Sequence, residues 1–131
     1  MFTLDQIKAA HSKVKTGADF PAYVQELITL GVRKYDFHVN DGHTSYEGKD
    51  GFHIESPARY PEKNIAETSD TESFTRLLKA HQQGQSDFPT MCQQSADTGV
   101  EKWTVDMNEM TCTYYDKMGN KMLVEEIPTP V

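Results

Sequence analysis

The sequence predicts an α+β fold in which a helix-helix-strand-strand-strand unit occurs twice by internal duplication, packed as two layers with an antiparallel sheet. Three observations lead there. Sliding the chain by 68 positions superposes residues 19–51 on residues 87–119 without a gap, and eleven of those thirty-three positions are identical; chance gives about two. Apolar residues recur at helical spacing before Gly31 and Gly99, then alternate at every second position after them. The 131 residues, 37% of them hydrophobic, suffice for one core and not for two. The repeat halves, approximately 1–55 and 71–126, are therefore expected to form a single domain, 1–131, joined by a surface connection, 56–70.

Each element has a local reason. Leu4, Ile7, His11 and Val14 form one face of a first helix, and Phe20, Tyr23, Val24, Leu27 and Ile28 one face of a second. Asp19 is placed to cap that second helix, with Pro21 in its first turn, and Gly31 stands where a left-handed residue ends it. Tyr35, Phe37 and Val39 then point one way and Lys34, Asp36 and His38 the other. Asp41-Gly42 suits a two-residue primed turn, opposing Val39 with Thr44 and Phe37 with Tyr46. A third strand is expected at 51–55, and two prolines mark the connection that follows. The second half repeats the plan. Phe74, Leu77, Leu78 and His81 make its first helical stripe, and Phe88, Met91, Cys92 and Ala96 a weaker second one, capped by Asp87 and ended by Gly99. Trp103, Val105 and Met107 alternate with Lys102, Thr104 and Asp106. The equivalent hairpin sets Met107 against Cys112 and Val105 against Tyr114; a last strand at 121–126 precedes a short tail.

Composition narrows the function classes. Thirteen Lys and Arg against twenty Asp and Glu give a formal charge of -7, so no nucleic acid is expected to bind through a basic surface. The first residues lack a positive, then apolar, leader pattern, and no apolar run approaches a membrane span, so the chain reads as soluble and cytoplasmic, with no membrane partner. Cys92 and Cys112 fall on apolar stripes and read as reduced core residues, not nucleophiles or a disulfide. Phosphate-loop, dinucleotide-binding and nucleophile-elbow motifs are absent from the sequence.

The repeated DFP…G-V-x-K cores and the opening MFTLDQIKAAHSKVKTGADFPAYVQELITLGV resemble the YdfO-like or YbcV-like family of uncharacterised bacterial and prophage proteins, sometimes labelled phage envelope protein. The resemblance covers essentially the whole chain. It implies a small α+β protein and carries no catalytic residue and no cofactor. The envelope label fits poorly with a sequence that shows neither a leader nor a span.

Chemistry, if present, centres on histidine. Alternation puts His38, His43 and His53 on one strand face with Asp36, Glu47 and Glu55, a composition that suits zinc, nickel or iron. The second half has Asp106, Thr111 and Lys121 at the corresponding positions, so such a site would belong to one half alone; the other reading is a solvated polar face. His11 and His81 end the first helix of each half, either as a pair or as separate helix-end imidazoles. Tyr35 and Trp103 read as core anchors or as an aromatic ligand platform. Three functions follow. The first is a noncatalytic, prophage-type accessory protein that binds a host or phage protein. The second is a metal-binding protein or metalloenzyme using His38, His43, His53 and Asp36, and the third a small-ligand receptor in a cleft between the repeats. A homodimer closing an unpaired sheet edge is also compatible with the pattern.

Overall fold

The computed structural model describes residues 2–14 and 19–128. Among these residues there are four α-helices and one six-stranded antiparallel sheet, an α+β fold. The first half runs α1 (Leu4–His11), α2 (Phe20–Leu30), β1 (Val32–His38), β2 (Thr44–Gly48), a 3-10 turn at Lys49–Gly51, and β3 (His53–Glu55). The second runs α3 (Thr71–Gln82), α4 (Phe88–Asp97), β4 (Val100–Asp106), β5 (Thr111–Asp116) and β6 (Lys121–Glu126).

Helix ends follow local chemistry with one exception. Thr3 and Gln6 form a reciprocal capping box on α1, and Asp87 accepts the N–H of Thr90 to cap α4. Asp19 departs from that expectation: its backbone is already helical and its side chain makes no cap hydrogen bond to α2. Gly31, at φ 102°, and Gly99, at φ 92°, turn the chain from helix into strand as expected.

The strand order β3-β2-β1-β4-β5-β6 joins the halves at β1 and β4. Asp36 and Thr104, 68 positions apart, face each other at that seam, and Thr104 Oγ1 donates to Asp36 Oδ1. On either side Val39 N–H bonds the Glu101 carbonyl at 2.9 Å and Met107 N–H bonds the Arg33 carbonyl at 3.0 Å. The ladders slip at equivalent places, between Val32 and Lys34 and between Val100 and Lys102. These pairings are compatible with the internal duplication expected from the sequence.

Both hairpin registers differ from the sequence expectation, by two residues each. Phe37 opposes Thr44 and Tyr35 opposes Tyr46; Val105 opposes Cys112 and Trp103 opposes Tyr114. A two-residue slip keeps every side chain on its face, so the apolar pattern could not distinguish the registers. Tertiary contacts select the wider loops. Asn40 and Asp41 carbonyls accept N–H groups from Lys63, Arg59 and Tyr60, while Met110 O accepts the N–H of Ile127.

Apolar side chains gather between the helices and one sheet face. Phe74 of α3 meets Tyr114 at 4.9 Å, and Phe88 of α4 meets Phe37 at 5.4 Å. Trp103 is buried and stacks on Phe37 at 4.5 Å. The predicted stripes hold except at their rims, where His11, Ile28 and Phe88 are exposed. The 56–70 connection is more than a surface passage. Its Ile65 is buried, Tyr60 Oη donates to the Val39 carbonyl, and Ala66 and Asp70 N–H groups bond Ala96 and Thr98 carbonyls.

Candidate functional site

The second face of the sheet carries polar side chains from all six strands in cross-strand rows. A middle row runs Glu55, Ser45, Asp36, Thr104, Thr113, Val124. One flanking row begins with His43 and His38 and continues through Lys102, Tyr115 and Lys121. The other runs His53, Glu47, Lys34, Asp106, Thr111, Glu126. Most of these residues are half-buried by their neighbours in the sheet. The pattern follows from alternation: the residues between the core positions of each strand must point away from the helices.

At the β1–β2 end this face becomes a connected cluster. His38 N–H bonds the His43 carbonyl, which sets the two residues opposite each other, and their rings stack at 4.1 Å with planes 7° apart. His43 Nδ1 lies 2.5 Å from Asp41 Oδ1, and the same oxygen accepts the His43 backbone N–H at 3.0 Å. His43 Nε2 is 3.9 Å from Glu55 Oε1. Ser45 Oγ donates to Glu55 Oε1 at 2.8 Å; having spent its one hydrogen, it stands as acceptor toward His38 Nε2 at 3.5 Å. Burial pushes the His38 imidazole below its usual range, the adjacent His43 and Lys102 act the same way, and Asp36 and Asp41 oppose them. For Asp41, partial burial acts to raise the pKa, but the ring and backbone hydrogen bonds from His43 outweigh it and hold the carboxyl below its usual range.

Of the predicted metal set, the structure brings His38 and His43 together and leaves Asp36 beside His38, bonded to Thr104. His53 stands across from Glu47 in the opposite row. Four residues of strand rise separate the rows, about 14 Å, whereas ligand nitrogens must lie about 2.0 to 2.1 Å from one ion. The stacked rings also aim their in-plane lone pairs side by side instead of at a common point. Among the described residues no group of three or more His, Cys, Asp and Glu is arranged to hold a metal ion.

Residues 8–126 match the family described as Protein of unknown function (DUF1398). The chain belongs to that family. No match was found among curated proteins. In this DUF1398 protein the remaining candidates take structural positions. His81 Nδ1 lies 3.0 Å from the Ser86 carbonyl, and His11 packs edge-on to Tyr23 at 5.4 Å. Both thiols are buried; burial pushes Cys92 up and Cys112 up to about 12. Tyr35 and Trp103 are buried where a cleft between the repeats was expected, and Arg59 of the connection lies over the Phe88 ring at 5.9 Å. A hollow of about 670 Å³ lies elsewhere, beside Phe2, Leu4, Phe52 and Ile54. Among the described residues no helix is long and apolar enough to cross a membrane.

Ser45 and Asp41 are the members of the cluster that sequence reasoning missed. Ser45 follows the polar alternation of His43 and Glu47, whereas the expected two-residue turn put Asp41 at its tip and His43 across from Asn40. Only the wider loop makes Asp41 the partner of His43.

Proposed function

We propose that this protein is a noncatalytic binding module that engages another protein through the open face of its sheet. The observation that carries this reading is the order of that face. Thr104 with Asp36, Ser45 with Glu55, Lys34 with Glu47 and His43 with Asp41 pair polar groups across strands β1 to β4 and the β1–β2 loop. Groups already ordered lose little conformational freedom when a partner arrives, which is where a polar interface gains its affinity. The mixed charges of the face and the formal charge of -7 favour a protein over a nucleic acid. With the YdfO-like or YbcV-like resemblance, this points to a prophage-type accessory role in the cytoplasm, with a host or phage protein as partner.

Site-specific photo-crosslinkers at Ser45 on the open face and at Glu72 on α3 test the reading in host cells. A discrete adduct from position 45, competed away by unlabelled protein and absent from position 72, is the expected result. Adducts from position 72 alone, or from neither position, refute it. A metal site at the same hairpin end is the second reading, favoured by the two imidazoles lying among the carboxylates of Asp41 and Glu55. It requires one ring to leave the stack, and it does not draw on His53.

A further inference from the structure

We infer that the β4–β5–β6 half of the open face docks a second copy of this chain, a step that rests on the reading of that face as the contact surface. Here the middle row is uncharged, Thr104, Thr113 and Val124, and Val124 is 50% exposed. On one side of this spine lie Lys102, Tyr115 and Lys121; on the other lie Asp106, Thr111 and Glu126. A positive row and a negative row at equal distance from a neutral line form a self-complementary pattern. Rotation by 180° about that line carries each row onto the other, as an isologous dimer requires. Lys102 then meets the partner's Asp106, Lys121 the partner's Glu126, and Tyr115 the partner's Thr111. Strands of the two copies run aligned under this operation, compatible with the roughly 30° crossing of face-packed sheets. Among the described residues Lys102, Lys121 and Glu126 make no ion pair within the chain.

The other half of the face does not share this pattern. The same axis sets Asp36 and Glu55 against their own copies, and like charges in contact drive surfaces apart. The two sheets therefore diverge toward β3 and leave the His38–His43 cluster accessible. Three strands about 4.8 Å apart and about 20 Å long offer a flat area of roughly 300 Å². That is well below the roughly 800 Å² per partner of a tight complex, so the dimer is weak and reversible.

Sedimentation equilibrium of the full chain over a wide concentration range tests this, with circular dichroism confirming that each variant is folded. The wild type is expected to dimerise reversibly. Lys121→Glu, Glu126→Lys and Val124→Arg should each weaken association by about ten-fold or more. The Lys121→Glu/Glu126→Lys double variant should return to within about three-fold of wild type, and an equimolar mixture of the two single variants should associate more tightly than either alone. A chain monomeric at every concentration, single variants that associate like wild type, or a double variant no better than the singles would each overturn the self-pairing. Should position 45 still crosslink to another protein in that case, the binding-module reading stands without it; if those crosslinks are absent too, both fall.

Discussion

Replacing Trp103 by alanine removes the residue on which the two halves meet. Its ring stacks on Phe37 of β1 at 4.5 Å and 18°, lies 5.7 Å from Tyr114 of β5, and stands edge-on to Phe88 of α4 at 6.4 Å. It is 8% exposed. A tryptophan buries roughly 200 Å², and at about 25 cal/mol per Å² that is about 5 kcal/mol. Residual burial in the unfolded chain lowers this by roughly 10–40%, and alanine retains a fraction of the contact. The cavity left between Phe37, Phe88 and Tyr114 acts in the other direction, giving a net loss of about 4 kcal/mol. Because Trp103 is the only tryptophan, the assay is urea unfolding followed by far-ultraviolet circular dichroism, comparing midpoints at equal slope. For a domain of this size the melting temperature should fall by roughly 15 °C. Phe88→Ala, in the same ring cluster but 36% exposed, should cost about 1 to 2 kcal/mol. A loss below about 1 kcal/mol for Trp103→Ala, or one no larger than that of Phe88→Ala, would refute the assignment of Trp103 to the core seam.

Other perturbations probe the loop, the imidazole pair and the metal reading. Gly42 sits at φ 77°, and an added Cβ would lie 2.7 Å from Tyr60 Cε2; Gly42→Ala should destabilise by about 2 to 4 kcal/mol, whereas Gly51→Ala, at φ 78° with open space around it, should cost about 1 kcal/mol in thermal or urea unfolding. His38 is held below its ordinary value of 6.5 by burial and by His43, so the unfolded chain binds the proton more readily. Stability should therefore be complete above about pH 7 and decline as pH falls through 6.5 toward the lower folded value. His11, lowered by burial and by Arg59, acts in the same sense, so His38→Gln should reduce the slope in a pH series without abolishing it. A slope unchanged by His38→Gln would show that its ring is not the group responsible. Finally, a chelator should leave the melting temperature of untagged protein unchanged; a decrease that disappears in the His38→Gln/His43→Gln/His53→Gln variant would establish a metal centre.

The polar face was legible in the sequence, and its chemistry was not. Alternation alone placed Asp36, His38, His43, Glu47, His53 and Glu55 on the side away from Phe37 and Val39, and the registers confirm that side. What alternation lacks is phase along the strand: a slip of two residues leaves it untouched while changing every cross-strand neighbour. The pairing of His38 with His43, the capture of His43 by Asp41, and the distance of His53 from both depend on that phase. Asp19 shows a related limit. It matches Asp87 in type and spacing, yet only Asp87 caps its helix, because capping requires an extended backbone that Asp87 has and Asp19 lacks.

By itself the sequence determined the element order, the helix-ending glycines and the two faces of the central strands β1, β2, β4 and β5, since all of these rest on local conformational preference and on the period of apolar residues. Tertiary structure decided the rest. The junction of the halves at β1 and β4, the loop widths, and the packing of Arg59 and Tyr60 over the hairpin and α4 arise from contacts between residues distant in the chain. Such contacts are chosen by which backbone N–H and C=O groups find partners and which side chains fill the remaining space, and no local pattern encodes that choice.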